Sequence, residues 1–317
     1  MFQALAYVIY SFSGYLGLIV FRSALYLATF ALVSRFLLKQ HQQDSSCPWI
    51  ICMGFLYGLV LLPRYASLRP GLLTYLLIIT FLYVLECQPP RRHWLPLLGV
   101  LWSNLHGVSY PIMWWICGAY LGEALLDRFK TERRSRAPDR QQLPILMLVT
   151  IGSAMFTPHV WRLLKVPFLS LEYVFQTVAE LRPIPLESLF SFQFSHLVPS
   201  HWTLIALLLL ASCAAMLMGL LTQRLRMSHA ILWAGGMALV MTSGRFVSEC
   251  ILLSLPVVAA HPVNIPQGLL RAVPRTAWVI VASALVIVPI RFVDALHHSF
   301  GDPAGYPLSS QNSRKAW

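Results

Sequence analysis

Five short signatures carry side chains able to do chemistry: RYASLRP (64–70), WSNLHG (102–107), FTPHVW (156–161), ELRP (180–183) and SGRF (243–246). Arg69 stands before Pro70 at the expected start of a helix, where a planar guanidinium offers paired donors to phosphate oxygens. Its other use is an interfacial anchor reaching to water, the role assigned to Arg64. Arg245 has Glu249 one helical turn on within an apolar segment, and ionisable groups at such depth pair with each other or line a polar cavity. Either the two neutralise each other, or the glutamate holds the arginine for a phosphate or sugar. Asn104 and His106 lie in a break between apolar runs. Their polar groups there either satisfy local backbone or line a ligand cavity. Glu180 and Glu187 are carboxylates able to bind sugar hydroxyls or act as bases, or are simply solvated. His159, after Pro158, is a helix-start residue or a site residue. Arg22 falls about 10 Å into its helix and needs a partner or an aqueous pocket.

Several chemistries leave no trace. The chain has no P-loop, HExxH, GxSxG or dinucleotide-binding glycine pattern. No metal site is read, because no pair of aspartates sits in an early loop where a metal-assisted transferase would keep them. The six cysteines have no CxxC spacing and read as small hydrophobes.

The elements that must position these residues follow from composition. Apolar residues make up 57% of the chain and charged residues 11%, against about 25% charged in an ordinary soluble domain. So few charges cannot cover a water-facing surface of 317 residues, whereas lipid as solvent asks for none. Long apolar runs with short charged punctuation predict an all-α, polytopic transmembrane helix bundle of about ten helices. The alternation of about ten residues expected of a membrane barrel is absent. Helices are expected at 1–11, 15–38, 48–62, 71–86, 94–104, 108–127, 143–157, 202–221, 230–243, 246–260 and 276–292. The first is too short to span, so the chain reads as beginning within a helix; no basic segment marks a signal peptide. Residues 1–292 form the expected bundle, with a long outward loop at 158–201 holding a short amphipathic helix at Leu171–Ala179, and 293–317 a tail.

Two splits, at SNLHGVS and at TSGR, decide the topology. With both in place, fourteen of the 24 lysines and arginines fall in linkers on the side of the basic stretch 128–140, as the positive-inside tendency requires. Merging either pair puts basic linkers on both faces. The net charge of +12 therefore orients helices rather than forming a nucleic-acid surface. All five signatures then fall on the opposite, outward face.

The order LRPGLLTYLLIITFLYVLE, RRHWLPLLGVLWSNLHG, TPHVWRLLKVPF, ELRP, SGRFVSECILLSLPVVA resembles bacterial membrane glycosyltransferases of the GT-C class, the RgtA/B/C/D-like and lipid A aminoarabinose transferase-like groups, from about residue 4 to 292. The resemblance implies a multi-pass protein of the bacterial inner membrane, a polyprenyl-phosphate sugar donor and transfer on the periplasmic side. It puts Arg69 and Arg245 at the donor phosphate, Asn104 and His106 along the cavity, and a divalent cation, if any, in a complete homologue. Two departures stand out. The family's catalytic acidic residue belongs to a first outward loop that this chain lacks, and TPHVW replaces an NPYG-like turn. Both ends read as cut. The expected function is a glycosyltransferase core binding a polyprenyl-phosphate-linked sugar without its base. The other class is a non-enzymatic remnant, lipid-carrier binder or translocator of the same fold. Few polar residues in the central helices argue against transport.

Overall fold

The structure is a computed structural model describing residues 1–40, 47–66, 68–106, 109–130, 138–158, 194–195 and 198–262. Its nine helices among these residues are α1 (Phe2–Gln40), α2 (Cys47–Leu61), α3 (Gly71–Cys87), α4 (Leu95–Leu105), α5 (Tyr110–Lys130), α6 (Pro138–Ser153), α7 (His201–Leu221), α8 (Met227–Thr242) and α9 (Val247–Ala260). Three 3₁₀ turns, Leu62–Ala66, Pro89–Trp94 and Gly244–Phe246, join consecutive helices. The described helices belong to one unit, Met1–Ile265, and a second unit covers Pro266–Trp317. The expected helix 276–292, the tail and Leu171–Ala179 lie outside the described residues.

Local chemistry explains the boundaries. The expected helices 1–11 and 15–38 are the two helical stretches of α1, which meet in a kink at Gly14 with φ 59° and ψ −153°, a conformation open to glycine without strain. Both splits are present, between Leu105 and Tyr110 and between Thr242 and Val247. Ser200 starts α7 by accepting the Thr203 N–H at 3.2 Å, and Ser243 accepts the Arg245 N–H at 3.3 Å, each satisfying a donor that a helix start leaves over. The expected loop 158–201 contains one antiparallel pair, β1 (Phe194–Ser195) with β2 (Val198–Pro199), in the register Phe194 to Pro199. This pair is the one sheet among the described residues.

Two helices form the centre. Every residue of α9 from Val247 to Ala259 is buried, as is most of α3. The helix α9 packs on α1, α2, α3, α7 and α8, while α5, α4 and α6 pack in sequence beside α3 and α8. At Gly236 of α8 an added Cβ would lie 3.1 Å from the Cys250 Cα of α9. Small residues at such crossings let helix backbones meet. Two helices, α1 and α7, are long and apolar enough to cross a membrane. Many of the large apolar side chains of these two helices point away from the core, including Tyr7, Phe12, Leu16, Leu217 and Leu221.

Candidate functional site

Four of the five signatures have described residues, and these meet at the Gly71 end of α3. The Arg64 Nη2 donates to the Gly244 carbonyl at 3.1 Å, joining the segments 64–70 and 243–246 across 180 residues. The Thr74 hydroxyl lies 2.6 Å from the His106 Nδ1 and 2.9 Å from the Ser109 hydroxyl. Ser109 in turn sits 2.8 Å from that same ring nitrogen and accepts the Trp102 indole N–H at 3.1 Å. The Asn104 amide donates to Val100 O at 2.8 Å and to Phe156 O at 2.9 Å, bracing the end of α4 against the residues that follow α6. The α4–α5 split thus works through polar side chains: His106 and Ser109 are held by the Thr74 hydroxyl of α3, which satisfies groups that would otherwise be buried without partners.

Charge gathers beside this network. Glu249, in the first turn of α9, is only 4% exposed, and its Oε2 has no hydrogen-bond partner. Both Arg64 and Arg245 act on its carboxylate electrostatically. Tyr75 lies in the field of Glu249 and Arg64. Glu249 forms no salt bridge among the described residues, so the closed Arg245–Glu249 pair that their spacing allows is not formed. Two guanidinium groups against one carboxylate leave the cluster positive. His106, at the C-cap of α4 and outside the helices, registers that field: burial, then the Arg245 charge, push its pKa down to about 4. Burial is the larger cause and says nothing about a ligand; the smaller one, the Arg245 charge, is the part that would also favour an anion.

Other expected residues fall differently. Arg69 is exposed immediately before α3, and its carbonyl accepts the Leu72 N–H at 3.1 Å. Arg64, read from the sequence as an anchor, is tied into the cluster through the Gly244 carbonyl. Arg22 is half-buried in α1. Glu180, Glu187 and His159 lie outside the described residues. Thr74, Ser109 and Tyr75 were not anticipated; the only signal was hydroxyls placed in or beside apolar runs. Among the described residues, no group of three or more His, Cys, Asp and Glu side chains is placed to hold a metal ion.

A second charged cluster was missed altogether. It lies at the Cys87 end of α3, about 18 Å along the helix from Thr74 at 1.5 Å per residue. The Arg226 guanidinium donates to both oxygens of Glu86, at 2.9 and 2.7 Å, and to both of Glu123, at 3.0 and 2.7 Å. Tyr120 donates to Glu86 at 2.7 Å and Ser228 to Glu123 at 2.8 Å. His229 Nε2 lies 3.3 Å from Glu86. Lys39 donates to the Cys87 carbonyl at the same end. Every carboxylate oxygen of Glu86 and Glu123 has a partner here, while the buried His229 Nδ1 has none among the described residues, and the network clamps α3, α5 and α8 together.

Comparison with models of protein families, with curated proteins and with solved structures finds no match.

Proposed function

We propose that the chain is a multi-pass protein of the bacterial inner membrane whose cluster at Arg64, Arg245, Glu249 and His106 binds the phosphate of a polyprenyl-phosphate-linked sugar, as a GT-C-like glycosyltransferase core. Support for the membrane comes from the low charge content and from large apolar side chains left on the outer faces of α1 and α7. In water such surface is unfavourable by about 25 cal/mol per Å²; in lipid it is not. Support for the orientation comes from the two ends of α3. Linkers rich in lysine and arginine meet at Cys87, and the arginine–proline and asparagine–histidine breaks meet near Gly71, so the positive-inside tendency turns the second end outward.

The observation carrying the ligand proposal is the buried Glu249 side chain, which feels both Arg64 and Arg245 and forms a salt bridge with neither. A guanidinium that no carboxylate closes on keeps donors for a phosphate, beyond the one that Arg64 gives to the Gly244 carbonyl. As the donor's bond to sugar breaks, negative charge grows on that phosphate, and fixed cations there stabilise the departing group.

A lipid-carrier binder without transfer activity is the second reading. Glu249 is the single described carboxylate of the cluster and is almost fully covered, whereas a base must reach an acceptor hydroxyl. Binding of labelled polyprenyl-phosphate sugar to protein in nanodiscs tests the shared part. Arg245→Ala and Arg64→Ala are each expected to weaken it about tenfold, equivalent to roughly 1.4 kcal/mol, and Arg69→Ala less. Unchanged binding in all three removes the site. Release of the carrier in the presence of acceptor separates a transferase from a binder.

A further inference from the structure

Beside the Pro89–Trp94 turn, a groove of about 390 Å³ runs between that turn and the middle of α6, Gln142 to Val149. Such a volume falls within the range of small-molecule sites, about 300–1,000 Å³. Its polar lining is Arg92, His93 and Gln142, and its apolar lining includes Leu143, Leu146 and Val149. The order along α6 matters: Gln142 comes first, and the apolar wall continues for seven residues, about 10 Å of helix. The groove thus carries one guanidinium, that of Arg92, on its turn side and is apolar along the α6 wall after Gln142. No acidic side chain lines it among the described residues.

Three further observations say what it faces. Ile145 and Val149 are 65% and 53% exposed, so the apolar wall opens to whatever surrounds the helices. Trp94, 52% exposed, lies 5.5 Å from the His93 ring. Tryptophan in that setting marks the headgroup level of a bilayer. The Arg92 Nη2 donates to Leu85 O at 2.7 Å and the His93 Nδ1 lies 2.8 Å from Pro90 O. Both polar side chains are therefore held in place at the mouth.

The geometry points to a seat for one anionic glycerophospholipid, its phosphate on Arg92, His93 and Gln142 and the upper part of one acyl chain along Leu143–Val149. Basic pockets between helices on the positively charged side of a membrane protein hold such headgroups. The proposal rests on the membrane reading above, but not on the sugar-donor site, which lies at the other end of α3.

Lipid retention by protein purified in a neutral detergent, measured by native mass spectrometry with added phosphatidylglycerol or phosphatidylcholine, tests it. Phosphatidylglycerol is expected to be retained about tenfold better than phosphatidylcholine. Arg92→Gln with His93→Gln removes that preference, and Val149→Trp, which fills the groove and leaves the charges, lowers retention of the lipid. Arg91→Gln, on the same turn but outside the groove, leaves the preference intact. The Arg92 change also frees the Leu85 carbonyl, so Val149→Trp decides the matter if that variant does not fold. Equal retention of the two lipids overturns the proposal, as does an equal effect of Arg91→Gln. Displacement of the lipid by millimolar inorganic phosphate also overturns it, because the seat is then for a plain anion. A chain that stays monodisperse without detergent sinks the membrane reading itself, whereas a detergent-requiring chain with no lipid preference sinks only the groove.

Discussion

Replacing Arg226 with methionine would strip two buried carboxylates of their counter-charge at once. Glu86 is 6% exposed and Glu123 16% at the side chain, with Arg226 itself at 44%. Four N–H···O contacts of 2.7–3.0 Å disappear. Breaking a buried pair by deleting one partner costs about 3–5 kcal/mol, mostly the penalty of an uncompensated charge. Here Tyr120, His229 and Ser228 still contact the carboxylates, and water reaches the arginine's position, so the expected loss lies near the lower limit, about 3 kcal/mol. Unfolding in mixed micelles of increasing SDS fraction, followed by tryptophan fluorescence, reads this directly. Adding Glu86→Gln and Glu123→Gln to the same chain removes the stranded charges and is expected to recover more than half of the loss. A single-variant loss below about 1 kcal/mol, the size of an exposed ion pair, would refute the reasoning. So would a triple variant no more stable than the single one, because the deficit would then come from lost packing.

Three other outcomes are expected. Gly236→Leu should destabilise by about 1–3 kcal/mol, the usual effect of overpacking, because Cys250 backbone atoms occupy the space; the same SDS titration measures it, and an unshifted midpoint would mean that α8 and α9 do not meet there. His106, neutral down to about pH 4 through burial and the Arg245 charge, binds its proton near pH 6.5 when unfolded. The unfolded chain therefore takes up the extra proton, and stability is full above pH 6.5 and falls as pH drops toward 4. His106→Gln should flatten that decline, and a ring titrating above pH 6 by NMR would contradict it. Finally, Arg69→Cys and Arg91→Cys should react with membrane-impermeant maleimide from opposite sides of sealed vesicles, and labelling from one side would dissolve the proposed orientation.

Element positions are legible in the sequence because their causes are local. Apolar runs bounded by Gly, Asn, Ser and Pro place most helix ends within a few residues, and the breaks at 104–109 and 243–246 are visible as polar interruptions too short to be loops of their own. The split of the N-terminal segment is legible for the same reason, and Gly14 is where the chain turns. The gathering of the signatures at one end is foreshadowed by charge counting, since the end of the bundle at which each linker emerges follows from the number of helices before it.

Which side chains meet is a different matter. Arg64 and Arg69 share one short motif, and nothing in it says that the first reaches Gly244 while the second stays exposed. Glu86 and Arg226 are 140 residues apart, and Glu123 and Arg226 are 103 apart; no periodicity links them, and Arg226 reads only as an orienting charge. Composition and pattern determined that this chain forms apolar helices and where they stop, because helix formation and solvation act on neighbours in sequence. The partners of each ionisable group were decided only when α3, α5, α8 and α9 packed, because pairing energies depend on distances that the covalent chain leaves open.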